Sequence, residues 1–268
     1  MIVFLAFVAL GYLMGSISSA VIVSRLFSLP DPRLQGSKNP GATNMLRLAG
    51  KQYAALVMMA DVLKGLIPVM LAILLANPMV ASYTALAAVF GHMYPVFFEF
   101  KGGKGVATAI GGLIGLQVVL GVLVAITWLA VAKLTRYSSL ASIVSICLAP
   151  LYSLMLFKHI STFPPLFFIT LFILYKHNEN IVRLFNGEEN KINFTKSALD
   201  EIIPDPLPNT AHETTNGTEI PKQAKTPKAA IIKFDQDGKP IELKKTPPKQ
   251  RNKATAGVKK PPTKPMVP

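Results

Sequence analysis

Three short polar stretches, far apart along the chain, hold most of the residues whose side chains could do chemistry. The stretch Gly102-Gly103-Lys104-Gly105 lies between an apolar run ending near Phe100 and another that begins at Val106. Its glycines let the backbone approach a ligand closely and adopt positive φ, and a helix starting at Val106 would aim its free N–H groups and the positive end of its dipole back at the loop. Lys104 adds a full charge, so Gly102, Gly103, Lys104 and Gly105 make an anion cradle suited to a phosphate. The competing reading is a tight turn between two membrane spans, with a lysine that anchors it. A Walker A loop is excluded, because the positions that should hold its first Gly and its Ser or Thr hold Phe98 and Gly105.

The first of the other two stretches runs from Gly36 through Ser37, Lys38, Asn39, Pro40, Gly41, Ala42, Thr43, Asn44, Met45 and Leu46 to Arg47. Ser37, Asn39, Asn44 and Arg47 offer hydroxyl, amide and guanidinium donors, and Gly41 adds an open backbone. These groups bind phosphate oxygens, and no carboxylate stands among them to repel an anion. The last stretch, Lys176-His177-Asn178-Glu179-Asn180-Ile181-Val182-Arg183, is followed by Asn186-Gly187-Glu188-Glu189. On a helix leaving a membrane, His177, Asn180 and Arg183 fall at successive i, i+3 positions and share a face. A solvated helix end rich in cations is the plainer alternative. Upstream of the glycine loop, His92 is either a buried structural histidine or a donor to substrate. Asp61 and Lys64 lie one turn apart at membrane depth, where ionisable groups are expensive. They either neutralise each other or act directly.

The elements that must present these residues are membrane helices. The 268 residues are 51% hydrophobic yet carry a formal charge of +14, two properties that rarely rise together in one soluble domain. They separate along the chain: residues 1–199 hold 15 Lys or Arg against 6 Asp or Glu, and residues 200–268 hold 13 against 8. Apolar runs of roughly the 20 residues needed per crossing cover Ile2–Leu26, Tyr53–Ala76, Met79–Phe98, Val106–Ala132, Leu140–Phe157 and Pro164–Tyr175. The first is expected to be a retained span, since no basic n-region precedes it and no clear cleavage site follows. Arg33, Lys38, Arg47 and Lys51 place the 28–52 loop in the cytoplasm, with the N-terminus outside. Charge parity then favours two short crossings in Val106–Ala132, with a turn near Gly115–Gly121. Lys133, Arg136 and the terminal cations are then cytoplasmic, and Lys158 alone is outside.

The expected fold is therefore all-α: a polytopic membrane protein of seven helices, N-out and C-in, over residues 1–199. Residues 200–268, rich in Pro, Lys and Thr with few aromatics, are expected to form a disordered basic tail in the cytoplasm. The single cysteine, Cys147, excludes a disulfide framework and a cysteine metal cluster.

In its residues the chain resembles the bacterial membrane-embedded glycerol-3-phosphate acyltransferases that use acyl phosphate. The resemblance rests on Gly15-Ser16 with Gly36–Arg47, on Gly91-His92 through Gly105, and on His177-x-Glu179-Asn180-Ile181-x-Arg183, in that order, with Asp61-x-x-Lys64-Gly65 in support. Lys176 stands where the family usually has Arg, and the tail has no counterpart. The resemblance implies that Ser37, Arg47, Lys104, His177 and Asn180 support transfer. It implies Asn39, Gly41, Asn44, His92, Gly102, Gly103, Gly105 and Arg183 as substrate-binding candidates. It also implies the reaction: acyl transfer from acyl phosphate to the sn-1 hydroxyl of glycerol 3-phosphate, at the cytoplasmic face of a bacterial inner membrane and among its lipids. No cofactor and no nucleic-acid partner are expected. No metal is expected either, because only Asp31 and Asp61 precede residue 200, too few for an aspartate cluster. The soluble-type H-x4-D signature fails at every histidine, where the fifth residue on is Phe97, Pro164, Val182 or Gly217. The rival reading from another class is a transporter of a phosphorylated metabolite, but transporters build midplane sites from broken helices, whereas these clusters gather at one face.

Overall fold

The computed structural model describes residues 1–156 and 160–192. They lie in the first of two compact units, Met1–Asn209. The expected tail from residue 200 and the outward placement of Lys158 fall outside the described residues.

Ten α-helices account for most of the described chain. They are α1 (Ile2–Gly15), α2 (Ser19–Leu26), α3 (Ala42–Ala49), α4 (Lys51–Leu75), α5 (Pro78–Met93), α6 (Val106–Leu116), α7 (Val118–Thr135), α8 (Ser138–Leu156), α9 (Phe163–Lys176) and α10 (Asn178–Phe185). Ile2–Leu26, α4, the region Pro78–Phe98 that contains α5, α7 and α8 are each long and apolar enough to cross a membrane. So is α9 joined to α10 across a 61° bend, and α6 is a shorter apolar helix.

The punctuation is local. Asn77 caps α5 by accepting from Val80 N–H at 3.0 Å, with Pro78 behind it at the first helical position. Gln117, alone between α6 and α7, accepts from Leu120 N–H at 2.8 Å and turns the chain back on itself. The turn expected near Gly115–Gly121 is thus found at one residue. The run Ile2–Leu26, expected as one helix, is two, interrupted at Ser16–Ser18. Ser16 is buried and donates to the Tyr12 carbonyl at 2.8 Å, and Ser18 starts the new helix.

Helix α5 is central: 67% of its apolar window is buried, against 22% for α7. Around Val89 and Met93 it joins Val69 and Ala72 of α4, Ala109 and Leu113 of α6, and Ile169 and Ile173 of α9 in one core. Lipid supplies no hydrophobic drive between helices, so close backbone approach does the work. Any side chain at Gly65 would strike the Thr108 carbonyl, one at Gly111 the Val62 carbonyl, and one at Gly15 the Ala88 carbonyl. These glycines let α4 meet α6, and α1 meet α5, almost backbone to backbone.

A candidate anion site where three loops meet

Gly105 begins α6 at φ +83°, a conformation that favours glycine, with Val89 and Met93 packed where a side chain would go. The loop before it therefore folds back over the end of α5, and Gly103 N–H donates to the His92 carbonyl at 3.1 Å. Gly103 is also pressed against the Pro40 carbonyl, which brings the 36–47 stretch alongside the glycine loop. That stretch is half helix: α3 starts at Ala42 and carries Arg47 in its last turn. The loop before α3 is held by Asn44. Its amide nitrogen donates to the carbonyls of Pro32 and Gln35, both at 3.0 Å, and its oxygen accepts from Ser37 N–H at 2.9 Å. Asn44 is buried, and its amide holds the loop's backbone. Ser37, Lys38 and Asn39 form the more exposed rim of that loop, Asn39 only partly so.

Lys104 reaches across to the third stretch and donates to Asn180 Oδ1. Asn180 in turn donates to Glu189 Oε1 at 2.7 Å, and Arg183 Nε donates to Glu189 Oε2 at 2.9 Å. Asn180 and Arg183 thus share a face as their spacing predicts. Glu189, its side chain only 6% exposed, ties them together. Burial pushes the Glu189 carboxyl up, but hydrogen bonds from Asn180 and Arg183 outweigh it and leave the group below the usual range. Lys104 has lost most of its water: burial brings its ammonium down to about 8 against the pull of Glu189, with Arg183 and Arg47 pushing the same way as burial. Arg47 donates to the Asn190 carbonyl at 3.4 Å, closing the ring of contacts between the first and third stretches.

His177 stands at the bend between α9 and α10 and is buried. Its Nδ1 lies 2.7 Å from the Ile173 carbonyl, which can only accept, so Nδ1 carries a proton and Nε2 is the nitrogen left to accept one. Beside α9 runs an open apolar groove of about 450 Å³ lined by Phe90, Tyr94, Leu171, Phe172 and Tyr175. A second of about 340 Å³ continues it past Phe90 and Phe172 to Phe4 and Tyr83.

Of the candidate residues, Arg47, Gly103, Lys104, Asn180 and Arg183 are brought together, with His177 at the adjoining bend. Gly102 and Gly105 shape the loop, Gly41 starts α3, and His92 lies in the core beneath. Asp61 and Lys64 pair with each other at 2.9 Å rather than lining a path. Sequence reading left Glu189 without a role, although it is a carboxylate placed a few residues after a cationic helix end.

The geometry fits an enzyme that handles anions at a membrane, and comparison with known proteins agrees. Residues 5–187 match the family model described as glycerol-3-phosphate acyltransferase. A glycerol-3-phosphate acyltransferase of Legionella pneumophila (strain Corby) is 55% identical over 239 residues, covering 87% of this chain and 86% of the relative. One from Pseudoalteromonas translucida (strain TAC 125) is 52% identical over 193 residues, 72% of this chain and 94% of the relative. Among solved structures, PlsY, an integral membrane glycerol 3-phosphate acyltransferase in its glycerol 3-phosphate form, superposes with a TM-score of 0.68 at 38% identity. That match covers 75% of this chain and 99% of PlsY. Its lysophosphatidic acid form gives 0.67 over 71% and 96%. With three motifs in order, an all-helical membrane fold and relatives of this closeness over most of its length, the chain belongs to the glycerol-3-phosphate acyltransferase family.

Proposed function

We propose that this protein transfers a fatty acyl group from acyl phosphate to the sn-1 hydroxyl of glycerol 3-phosphate, releasing lysophosphatidic acid and inorganic phosphate. The observation that carries the reading is convergence: Lys104 meets Asn180, Arg47 meets Asn190, and Gly103 meets Pro40, so three distant stretches gather in one cationic cluster. Both substrates bring phosphate, and the cluster holds more positive charge than Glu189 neutralises. The apolar groove along α9 supports the other half of the donor, since it runs to within two residues of His177.

An acyl phosphate is already an activated mixed anhydride, so the protein's tasks are to place two anions and to stabilise charge on the leaving phosphate. The glycerol hydroxyl oxygen bonds to the acyl carbon, the bond from that carbon to phosphate oxygen breaks, and the electron pair leaves with phosphate. Lys104, Arg47 and Arg183 receive the two phosphates. The hydroxyl proton has two candidate acceptors, Nε2 of His177 and an oxygen of the departing phosphate. Ser37 and Asn39 border the cluster as donors on the loop that Asn44 holds.

The arrangement in the membrane is seven spans: α1 with α2, then α4, α5, α6, α7, α8 and α9, N-out and C-in, with the site at the cytoplasmic face of the bacterial inner membrane. Thr43 and Ser138 hydroxyls 3.0 Å apart, and Ile192 N–H donating to the Arg136 carbonyl at 2.7 Å, support this reading. They draw the α7–α8 turn to the same end as the glycine loop, so α6 and α7 go out and back. Purified protein incubated with palmitoyl phosphate and glycerol 3-phosphate should release phosphate and lysophosphatidate in equal amounts. Phosphate release that does not depend on glycerol 3-phosphate would overturn the transferase reading.

A further inference from the structure

The chemistry above makes no use of Lys64, Asp61 and His92, yet this buried cluster touches the glycine loop. Lys64 Nζ lies 2.9 Å from Asp61 Oδ1 and donates to the Ile17 carbonyl at 2.7 Å, in the stretch where α1 gives way to α2. Asp61 Oδ1 lies 3.6 Å from His92 Nδ1, and Thr108 Oγ1, in the first turn of α6, is 3.3 Å from the same nitrogen. On the other edge of the ring, Nε2 occupies the space that a side chain on Gly103 would take. All four side chains are more than nine-tenths buried.

Burying a carboxylate and an ammonium costs several kcal/mol per ion before pairing, and a well-packed apolar pair often holds a fold as well or better. Lys64 and Asp61 are on one helix, so their attraction joins no two helices. What the pair does across helices is directional: Lys64 grips α1–α2, and Asp61 faces one nitrogen of a ring on α5. An apolar neighbour would pack against that ring without selecting its orientation. A carboxylate beside Nδ1 favours a proton there and turns Nε2 toward Gly103. The ring then forms a rigid floor under the loop's backbone.

We propose that the Lys64–Asp61 pair is a positioning device for the glycine loop, acting through His92. Asp61 orients the ring, Lys64 holds Asp61 to the α1–α2 break, and the ring fixes the height and shape of Gly102–Gly105. The proposal rests on the reading that this loop binds phosphate.

The test measures steady-state kinetics of the full chain with glycerol 3-phosphate varied. Lys104→Ala is the control: if it keeps full turnover, the phosphate reading fails and this proposal falls with it. With that control impaired, two substitutions at His92 decide. His92→Gln keeps a polar group where Nε2 stands, and His92→Asn keeps one where Nδ1 stands. The Gln variant should stay within about tenfold of wild type and the Asn variant should fall roughly 100-fold, mostly as a raised KM for glycerol 3-phosphate, as expected for a misplaced binding loop. Asn performing as well as Gln would overturn the proposal, since Nε2 would then have no task. In a second measurement, the combined Asp61→Asn and Lys64→Gln change should raise KM in the wild-type background and add less than about twofold in a His92→Ala background. Equal effects in both backgrounds would mean that the pair does not act through the ring. If the combined variant does not fold, the two His92 substitutions decide alone.

Discussion

Beneath the glycine loop, Lys64 faces Asp61 at 2.9 Å with both side chains at most 5% exposed. Above it, Lys104, Arg47 and Arg183 share the single buried carboxylate of Glu189, with Glu179 exposed at the rim. The inner pair balances, one cation to one anion, and Lys64 gives a hydrogen bond to the Ile17 carbonyl besides. The outer cluster does not balance. Its surplus of positive charge is what a phosphate would neutralise, so under the proposed function charge surplus rather than charge content separates the site from a fastening.

The comparison is broken most severely by Lys64→Met. It strands Asp61 without its cation, and leaving a buried charge uncompensated costs about 3–5 kcal/mol. Folded protein should be lost on size exclusion, and adding Asp61→Leu should recover it. A well-folded Lys64→Met single variant would show that the inner charges are not a closed pair.

Lys104→Ala should leave folding intact and reduce kcat/KM by roughly 100- to 1000-fold, the usual loss for a charge-assisted contact made in the transition state. Lys101→Ala should matter less than about tenfold, since an exposed pair contributes little and Lys101 pairs with Glu99 at the surface, 68% exposed. Equal losses would reduce the loop to a topological anchor.

The pH profile sharpens the contrast. Lys104 must be protonated to hold an anion, and its group titrates at about 8 rather than 10.5. kcat/KM should therefore fall as pH rises through about 8, approaching tenfold per unit. A profile flat to pH 10 would mean that this charge is not used.

The smallest effects are expected from removing residues 200–268 and from adding a chelator, each changing kcat by less than about twofold. Every side chain of the three motifs precedes residue 190, and the sequence offers only two aspartates before residue 200 for a metal. Near-total loss on truncation, with the remainder folded, would move part of the site into the tail.

The helices and the three motifs were legible because each rests on local chemistry. Apolar length marks a span, Asn77-Pro78 marks a start, and a lysine between glycines marks a loop. Even the α6–α7 turn followed from charge parity, which is a property of the whole chain. The break at Ser16–Ser18 was not legible, since a serine pair inside an apolar run reads as helix until Lys64 is seen taking the Ile17 carbonyl. The division of labour among polar residues was equally hidden. Asn44 and Asn180 are the same residue type in comparable motifs, but one faces loop carbonyls and the other faces Lys104. Only tertiary contact separates them, and only the fold shows that Glu189 binds both Asn180 and Arg183 on the face that their spacing gives them.

The two arms of the α6–α7 hairpin are unequal. Eleven residues rise about 16 Å and eighteen about 27 Å, while Gln117 alone joins them. Measured along the helices, α6 is about 10 Å shorter than α7, a difference of seven residues of rise. The glycine loop is joined to the shorter arm, and in it Gly103 is buried while Lys101 is exposed. Under the proposed function, a water-soluble reactant and a chain dissolved in the bilayer would meet at the start of that shorter arm.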